Sequence, residues 1–259
     1  MTMKKRNVNL LLFSLVLIFL ISVPILRLDE GRSTMNDWDR SPWHLTPFDA
    51  DSLSQYYKNH YPILDENPLK SILQDSTKSL VMVLIDSWGV PYNEEQLVSD
   101  FQMINENNVF YAIHKRRAQN TSLAENTEYG EGFKEGIFLA TIGSSDCEQT
   151  ETVESSLFKQ ILCCENCDDS RAVATLDSLI TDETWSRIAW TARSTREGDR
   201  DKLHQLLKEL SNLTTKHPDV QFVIQGTHRP ILGSPETRRM YLAPWVPAVF
   251  VNCDLTLPH

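Results

Sequence analysis

Residues 79–91 read SLVMVLIDSWGVP. Six consecutive apolar residues, Leu80 to Ile85, run into an acid, Asp86, and then reach Gly89. That pattern predicts a strand buried on both faces that stops at a polar, exposed edge. Open α/β sheets place their chemistry at such an edge, outside the carboxyl ends of the strands. Asp86 therefore has two readings, as a helix cap or loop acid or as a metal ligand at the strand's end. The rest of the chain has to separate them.

The chain has 259 residues and a formal net charge of −10. This length holds a membrane anchor and one domain of about 200 residues with a substantial core. The acidic balance excludes a general nucleic-acid binder, because neutralising phosphates needs clustered Lys and Arg. The basic clusters are short: Lys4 to Arg6, Lys115 to Arg117, and Arg238 with Arg239. After MTMKKRN an apolar run extends from Leu10 to Leu26, broken only by Ser14, Ser22 and Pro24. As a helix it spans about 25 Å, enough for a thin bilayer. No small-x-small cleavage site follows, so residues 1–27 read as a cytoplasmic stub and an uncleaved signal anchor. Lys4, Lys5 and Arg6 hold the N-terminus inside. Residues 28–77 read as a juxtamembrane segment, and 78–259 as a domain delivered to the periplasmic or extracellular side of the membrane.

In that compartment disulfides are permitted, and Cys147, Cys163, Cys164, Cys167 and Cys253 make an odd count that leaves one thiol over. The Cys163-Cys164-x-x-Cys167 cluster is open to three readings: disulfide, plain thiols or structural zinc. Asn93-Glu-Glu-Gln starts a helix that continues to about Glu106, with Asn as its cap. Val109 to Ile113 is strand-like. The stretch from Ala118 to Gly132, AQNTSLAENTEYGEG, places Thr121 and Ser122 near a helix N-terminus, where backbone N–H groups favour an anion. Thr121 is either a cap or a nucleophilic hydroxyl. Val153, Leu157, Phe158, Ile161 and Leu162 predict an amphipathic helix over Glu151 to Leu162.

Arg187 to Ala192 is a further short strand. Asp199 to Thr215 is the clearest helix, with Leu203, Leu206, Leu207, Leu210 and Leu213 on one face and His204 and Glu209 off that stripe, solvated. Val220 to Gly233, VQFVIQGTHRPILG, repeats the first pattern, a strand ending in polar residues with His228 as a loop histidine or a ligand. Val246 to Val251 supplies a last strand. The alternation predicts an α/β fold, a largely parallel sheet with helices on both faces.

Taken jointly, these stretches resemble the alkaline-phosphatase and sulfatase superfamily, and within it the membrane-anchored, sulfatase-like phosphoethanolamine and glycerophosphate transferases. The resemblance covers roughly residues 78–252, with gaps. LIDSWGVP is similar to the family's first strand end, whose acid binds metal, which points to Asp86. Thr121-Ser-Leu-Ala-Glu125 fits the spacing of the family's threonine nucleophile, with Thr127-Glu128 a second candidate. Gln225-Gly-Thr-His-Arg-Pro is similar to a late strand ending in G-D-H. The resemblance implies a divalent cation, zinc or manganese, held by Asp86, Thr121, Thr227 and His228. Such an ion activates the Thr121 hydroxyl and neutralises phosphoryl or sulfuryl oxygens. Two positions depart from the pattern. Thr227 stands where the family carries Asp, and Thr191-Ala-Arg-Ser-Thr-Arg196 lacks a substrate-contacting His. One carboxylate, one imidazole and hydroxyls imply that the ion is held weakly or has been lost.

Two functions stand as expectations. One is a metal-dependent hydrolase or group transferase acting on phosphate or sulfate esters of envelope glycans or phospholipids at the outer face of the membrane. The other is a catalytically degenerate domain that binds a glycan, lipid or protein without turnover. An unrelated anchored α/β domain remains as a third.

Overall fold

The computed structural model describes residues 53–64, 78–104, 108–115, 121–142, 157–165, 167–195, 198–230 and 235–253. All belong to one unit of the chain, Asp49–His259. The apolar run from Leu10 to Leu26 and Cys147 lie outside the described residues. Among the described residues, no helix is long and apolar enough to cross a membrane.

Eight strands form a single sheet: β1 (Ile63–Leu64), β2 (Leu80–Ile85), β3 (Val109–Lys115), β4 (Ile137–Ile142), β5 (Gln160–Glu165), β6 (Arg187–Ala192), β7 (Gln221–Gly226) and β8 (Trp245–Val251). Their order is β1-β3-β8-β7-β2-β6-β4-β5. β2 lies inside the sheet, parallel to β6 on one side and to β7 on the other. Only β8 runs antiparallel, between β3 and β7. Every residue of β2 is buried, as expected for a parallel strand covered on both faces. Val81, Val83 and Ile85 enter one core, while Leu80, Met82 and Leu84 enter the other.

The first core is closed by α1 (Gln55–His60), α2 (Glu94–Gln102), α4 (Asp169–Thr181) and α5 (Arg200–Lys216). The second is closed by α3 (Thr121–Glu128), a following 3-10 turn over Gly130–Phe133, and an aromatic cluster of Tyr129, Phe133, Phe138 and Phe158. A short α6 (Pro235–Arg239) precedes β8. Asn93 caps α2 through its side chain, which accepts from the Glu95 N–H, and Asp199 caps α5 in the same manner. Tyr57 of α1 is buried, and its hydroxyl donates to the Pro91 carbonyl at 2.6 Å. This contact ties the segment before β2 to the loop after it.

Two expectations need correction, and one open reading is decided. The predicted helix over Glu151 to Leu162 does not hold at its end, because Gln160–Glu165 is the edge strand β5, paired in parallel with β4. Its apolar residues serve a half-buried edge, and the helix that follows is α4, whose Ala172, Leu176 and Ile180 form the buried stripe. The cysteine cluster is not a zinc site. Cys164 and Cys167 are joined by a disulfide and Cys163 is also disulfide-bonded, which removes the thiolates that zinc requires. Cys253 keeps its thiol, which donates to the Phe222 and Val251 carbonyls at 3.5 and 3.4 Å. Finally, His204 is not simply solvated, since its Nε2 lies 2.9 Å from the buried Asp100 carboxylate.

Candidate active site

The carboxyl ends of β2, β6 and β7 lie side by side, because these strands are neighbours running the same way. The chain leaving β2 turns at once. Ser87 takes φ 63°, a left-handed conformation that costs a non-glycine residue energy and is held only by surrounding contacts. Those contacts are present: the Ser87 N–H donates to Thr227 Oγ1 at 3.3 Å, and the Thr227 N–H donates to the Ile85 carbonyl at 3.0 Å. Two glycines then let the loop after β2 lie directly on the loop after β7. A Cβ at Gly226 would stand 1.8 Å from the Trp88 carbonyl oxygen, and one at Gly89 would stand 2.7 Å from the Arg229 Cα. A side chain at either place would force the loops apart.

This close approach brings Asp86 and His228 together. His228 Nε2 is 3.2 Å from Asp86 Oδ1, and Thr121 Oγ1, on the first residue of α3, is 3.3 Å from the same Nε2. All three side chains are buried. The other ring nitrogen, Nδ1, is 2.7 Å from the Arg229 carbonyl oxygen, which can only accept, so Nδ1 carries the proton. In the neutral ring Nε2 is then an acceptor. It faces the Thr121 hydroxyl, and it also faces a carboxylate oxygen that is itself an acceptor. This is not a Ser–His–Asp relay, in which the acid holds the nitrogen remote from the hydroxyl. Here acid, imidazole and hydroxyl converge on one point, where the 3.2 Å approach of Nε2 to the carboxylate is met either by a proton on Nε2 or by a cation between the two.

The divalent ion that the family resemblance implies sets a spacing that its donors must meet. Donors around a four-coordinate zinc, at about 2.0–2.2 Å from it, stand about 3.3–3.6 Å from one another. The spacings of 3.2 and 3.3 Å are close to this. The set fits in spacing and is poor in charge. Among the described residues no three His, Cys, Asp or Glu side chains gather as a metal site. Thr227 adds no charge, and its hydroxyl oxygen is directed at the Ser87 amide. The side chain of Thr127 lies outside the described residues.

Sequence reasoning did not single out several residues around the centre. The Ser87 hydroxyl donates to Asp86 Oδ1 at 3.2 Å. The Thr195 hydroxyl donates to the Asp86 carbonyl oxygen. Arg193 Nη2 lies 3.0 Å from Glu125 Oε1, so a guanidinium stands one helical turn from Thr121. Behind the turn, the Trp88 indole N–H donates to Asp100 Oδ2 at 3.1 Å, while Arg200 Nη2 and His204 Nε2 hold Asp100 Oδ1 at 2.6 and 2.9 Å. Asp100 was legible only as a helix residue. Its buried side of α2 faces α5, a pairing that no local pattern announces.

No family model matches the sequence, and no curated protein matches it. Solved structures do. The chain is similar in structure to alkaline phosphatase superfamily proteins. One is a protein of that superfamily from Vibrio parahaemolyticus, at TM-score 0.44 and 11% identity, over 69% of this chain and 60% of that one. A second is the lipoteichoic acid synthase LtaP from Listeria monocytogenes, at TM-score 0.45 and 9% identity, over 70% of this chain and 67% of that one. A third is the C-terminal periplasmic domain of EcEptC from Escherichia coli, in complex with Zn, at TM-score 0.42 and 10% identity, over 70% and 75%. The match thus spans 60% of the length of the Vibrio protein. Likeness at this level does not identify which residues act, and the side chains of this chain have to decide that.

Proposed function

We propose that the chain is a hydrolase or group transferase for phosphate or sulfate esters, with Thr121 as nucleophile. One observation carries this reading: the Thr121 hydroxyl and the Asp86 carboxylate converge on the same nitrogen of His228, at 3.3 and 3.2 Å. Asp86, His228 and Thr121 would hold a zinc or manganese ion, which would supply charge neutralisation for an oxyanion and a more acidic hydroxyl. With Nε2 turned to the ion and Nδ1–H fixed on the Arg229 carbonyl, His228 would orient as a ligand, and the Thr121 proton would leave to solvent from a hydroxyl made more acidic by the ion. The Thr121 oxygen attacks phosphorus or sulfur, and the ester's alcohol leaves. Arg193 offers a planar cation to the non-bridging oxygens. Thr121 also opens α3, where the helix N-terminus favours the anion. If the full chain is incubated with an aryl phosphate and the divalent ion, a mass adduct is expected on Thr121, and Thr121→Ala should abolish it. An adduct on another residue would overturn this assignment.

A second reading, a binding domain without turnover, is favoured by the single carboxylate at the centre. In that case no adduct forms, although anions still bind. In either reading the domain works at the outer face of the membrane on envelope glycan or phospholipid esters, a placement supported by Lys4, Lys5 and Arg6 ahead of the apolar run. A reporter fused after His259 should then be active only outside the cytoplasm, and cytoplasmic activity would contradict the placement.

A further inference from the structure

Gln225 is the last residue but one of β7, and its side chain is fully buried. Neither the oxygen nor the nitrogen of its carboxamide has a hydrogen-bond partner. Among the described residues it is the only side chain with a donor and an acceptor both left in that state. A buried amide with no partner opposes folding. The few that native proteins keep mark stored strain, a functional group or a place for a water or an ion.

The register of the sheet fixes where this amide stands. Val223, two residues earlier, lies in the second core, so Gln225 shares its face. Its neighbours across the sheet, Leu84 on β2 and Ala248 on β8, belong to the same core. Neither they nor Ala124 of α3, which closes this core, carries a polar side-chain atom. Thr191, opposite Leu84 on β6, shares its hydroxyl with Tyr129 at 2.9 Å, and Glu125 is held by Arg193. Polar groups free of that apolar surround begin at the strand ends. Asp86 follows Leu84 by two residues, and its N–H donates to the Ala192 carbonyl at 2.9 Å, so the alternation carries the carboxylate onto the face that holds Gln225. Two residues along and one strand across put the Cα atoms of Gln225 and Asp86 about 8 Å apart. Thr121 opens the helix that closes this core, and His228 follows Gln225 by three residues. The amide therefore stands one pleat inside the centre formed by Asp86, Thr121 and His228.

We infer that Gln225 is a fourth ligand of that centre, its carbonyl oxygen giving the cation a donor that Thr227, turned to the Ser87 amide, does not. This rests on reading the centre as a cation site. The consequence is a choice of ion. With Gln225 the donors become three oxygens and one imidazole nitrogen, and carboxylate and carbonyl oxygens suit manganese where imidazole and thiolate sets suit zinc. Zinc is still the tighter binder at most such sites, so Gln225 acts on the ratio of the two affinities.

Calorimetric titration of the full chain with manganese and with zinc, beside urea unfolding without metal, tests this. Gln225→Leu removes the amide and keeps a side chain of similar size, so it should unfold at higher urea than the natural chain. It should bind manganese at least about tenfold more weakly and zinc only about threefold more weakly. Gln225→Glu puts a charge at the same position and should bind manganese at least about tenfold more tightly, with manganese raising its urea midpoint more than that of the natural chain. Unchanged manganese affinity in Gln225→Leu, while Asp86→Asn loses at least about tenfold, would uphold the centre and overturn the inference. A Gln225→Leu chain that unfolds at lower urea and loses both ions equally would show a packing role, and would overturn it as well. An ion bound equally by Asp86→Asn and the natural chain, or by neither, would overturn the centre and the inference with it.

Discussion

Gly226 sets how closely the loops after β2 and β7 approach, and that distance sets whether Asp86 and His228 meet. A methyl group there would fall 1.8 Å from the Trp88 carbonyl oxygen, a main-chain atom that can move only with the whole turn. Gly226→Ala is therefore expected to cost about 3 kcal/mol, at the upper end of the range for overpacking, and to remove any divalent-ion binding even in the folded fraction. Urea unfolding with a parallel zinc titration checks both parts, and a loss of stability with ion binding intact would separate the glycine from the centre. The same scale explains why the centre was only partly visible in the sequence. Asp86 and His228 stand at the ends of obvious apolar runs, where an acid and an imidazole attract notice. Arg193 and Thr195 follow a run just as clear, Arg187 to Ala192, but their partners, Glu125 and the Asp86 carbonyl, lie 68 and 109 residues away. Spacing along the chain carries no trace of such contacts.

Elements α2 and α5 hold the turn after β2 from behind. Asp100 is 1% exposed and accepts from the Trp88 indole and from Arg200 and His204 of α5. Removing a buried acceptor that satisfies charged donors costs on the order of 3–5 kcal/mol. Asp100→Ala should lower stability by about that much in urea unfolding, and Trp88 should report the loosened turn through its fluorescence. A loss below about 1 kcal/mol would show that the three donors find other partners and that α5 does not brace the turn. Elements also show where pattern reading fails. The helix from Arg200 to Lys216 was legible because its five leucines face one core. The edge strand β5 was misread because a half-buried strand beside a loop offers no alternation long enough to outvote helical spacing. α4 carries a signal that local pattern does hold, in Asp168 as cap followed by Ala172, Leu176 and Ile180 at four-residue spacing.

Across the whole molecule, three parallel strand ends and one helix start deliver an acid, a cation, an imidazole and a hydroxyl to one edge of the sheet. The α/β class follows from strands such as β2, since a strand buried on both faces belongs inside a parallel sheet, whereas the pairing of β2 with β7, which carries Gln221 and Gln225, is not written in apolarity. The antiparallel course of β8 could not be read in this way, because Trp245–Val251 is as apolar as its parallel neighbours. The proposed cation-holding centre consists of Asp86, Thr121 and His228 and lacks a second carboxylate at Thr227. Zinc titration calorimetry of the full chain, its Asp86→Asn variant and its Thr227→Asp variant tests this most directly. Weak binding of one ion is expected in the natural chain, with a loss of at least about tenfold in Asp86→Asn and a gain of at least about tenfold in Thr227→Asp, about 1.4 kcal/mol in each direction. Equal affinity in all three proteins, or no binding in any of them, would contradict it.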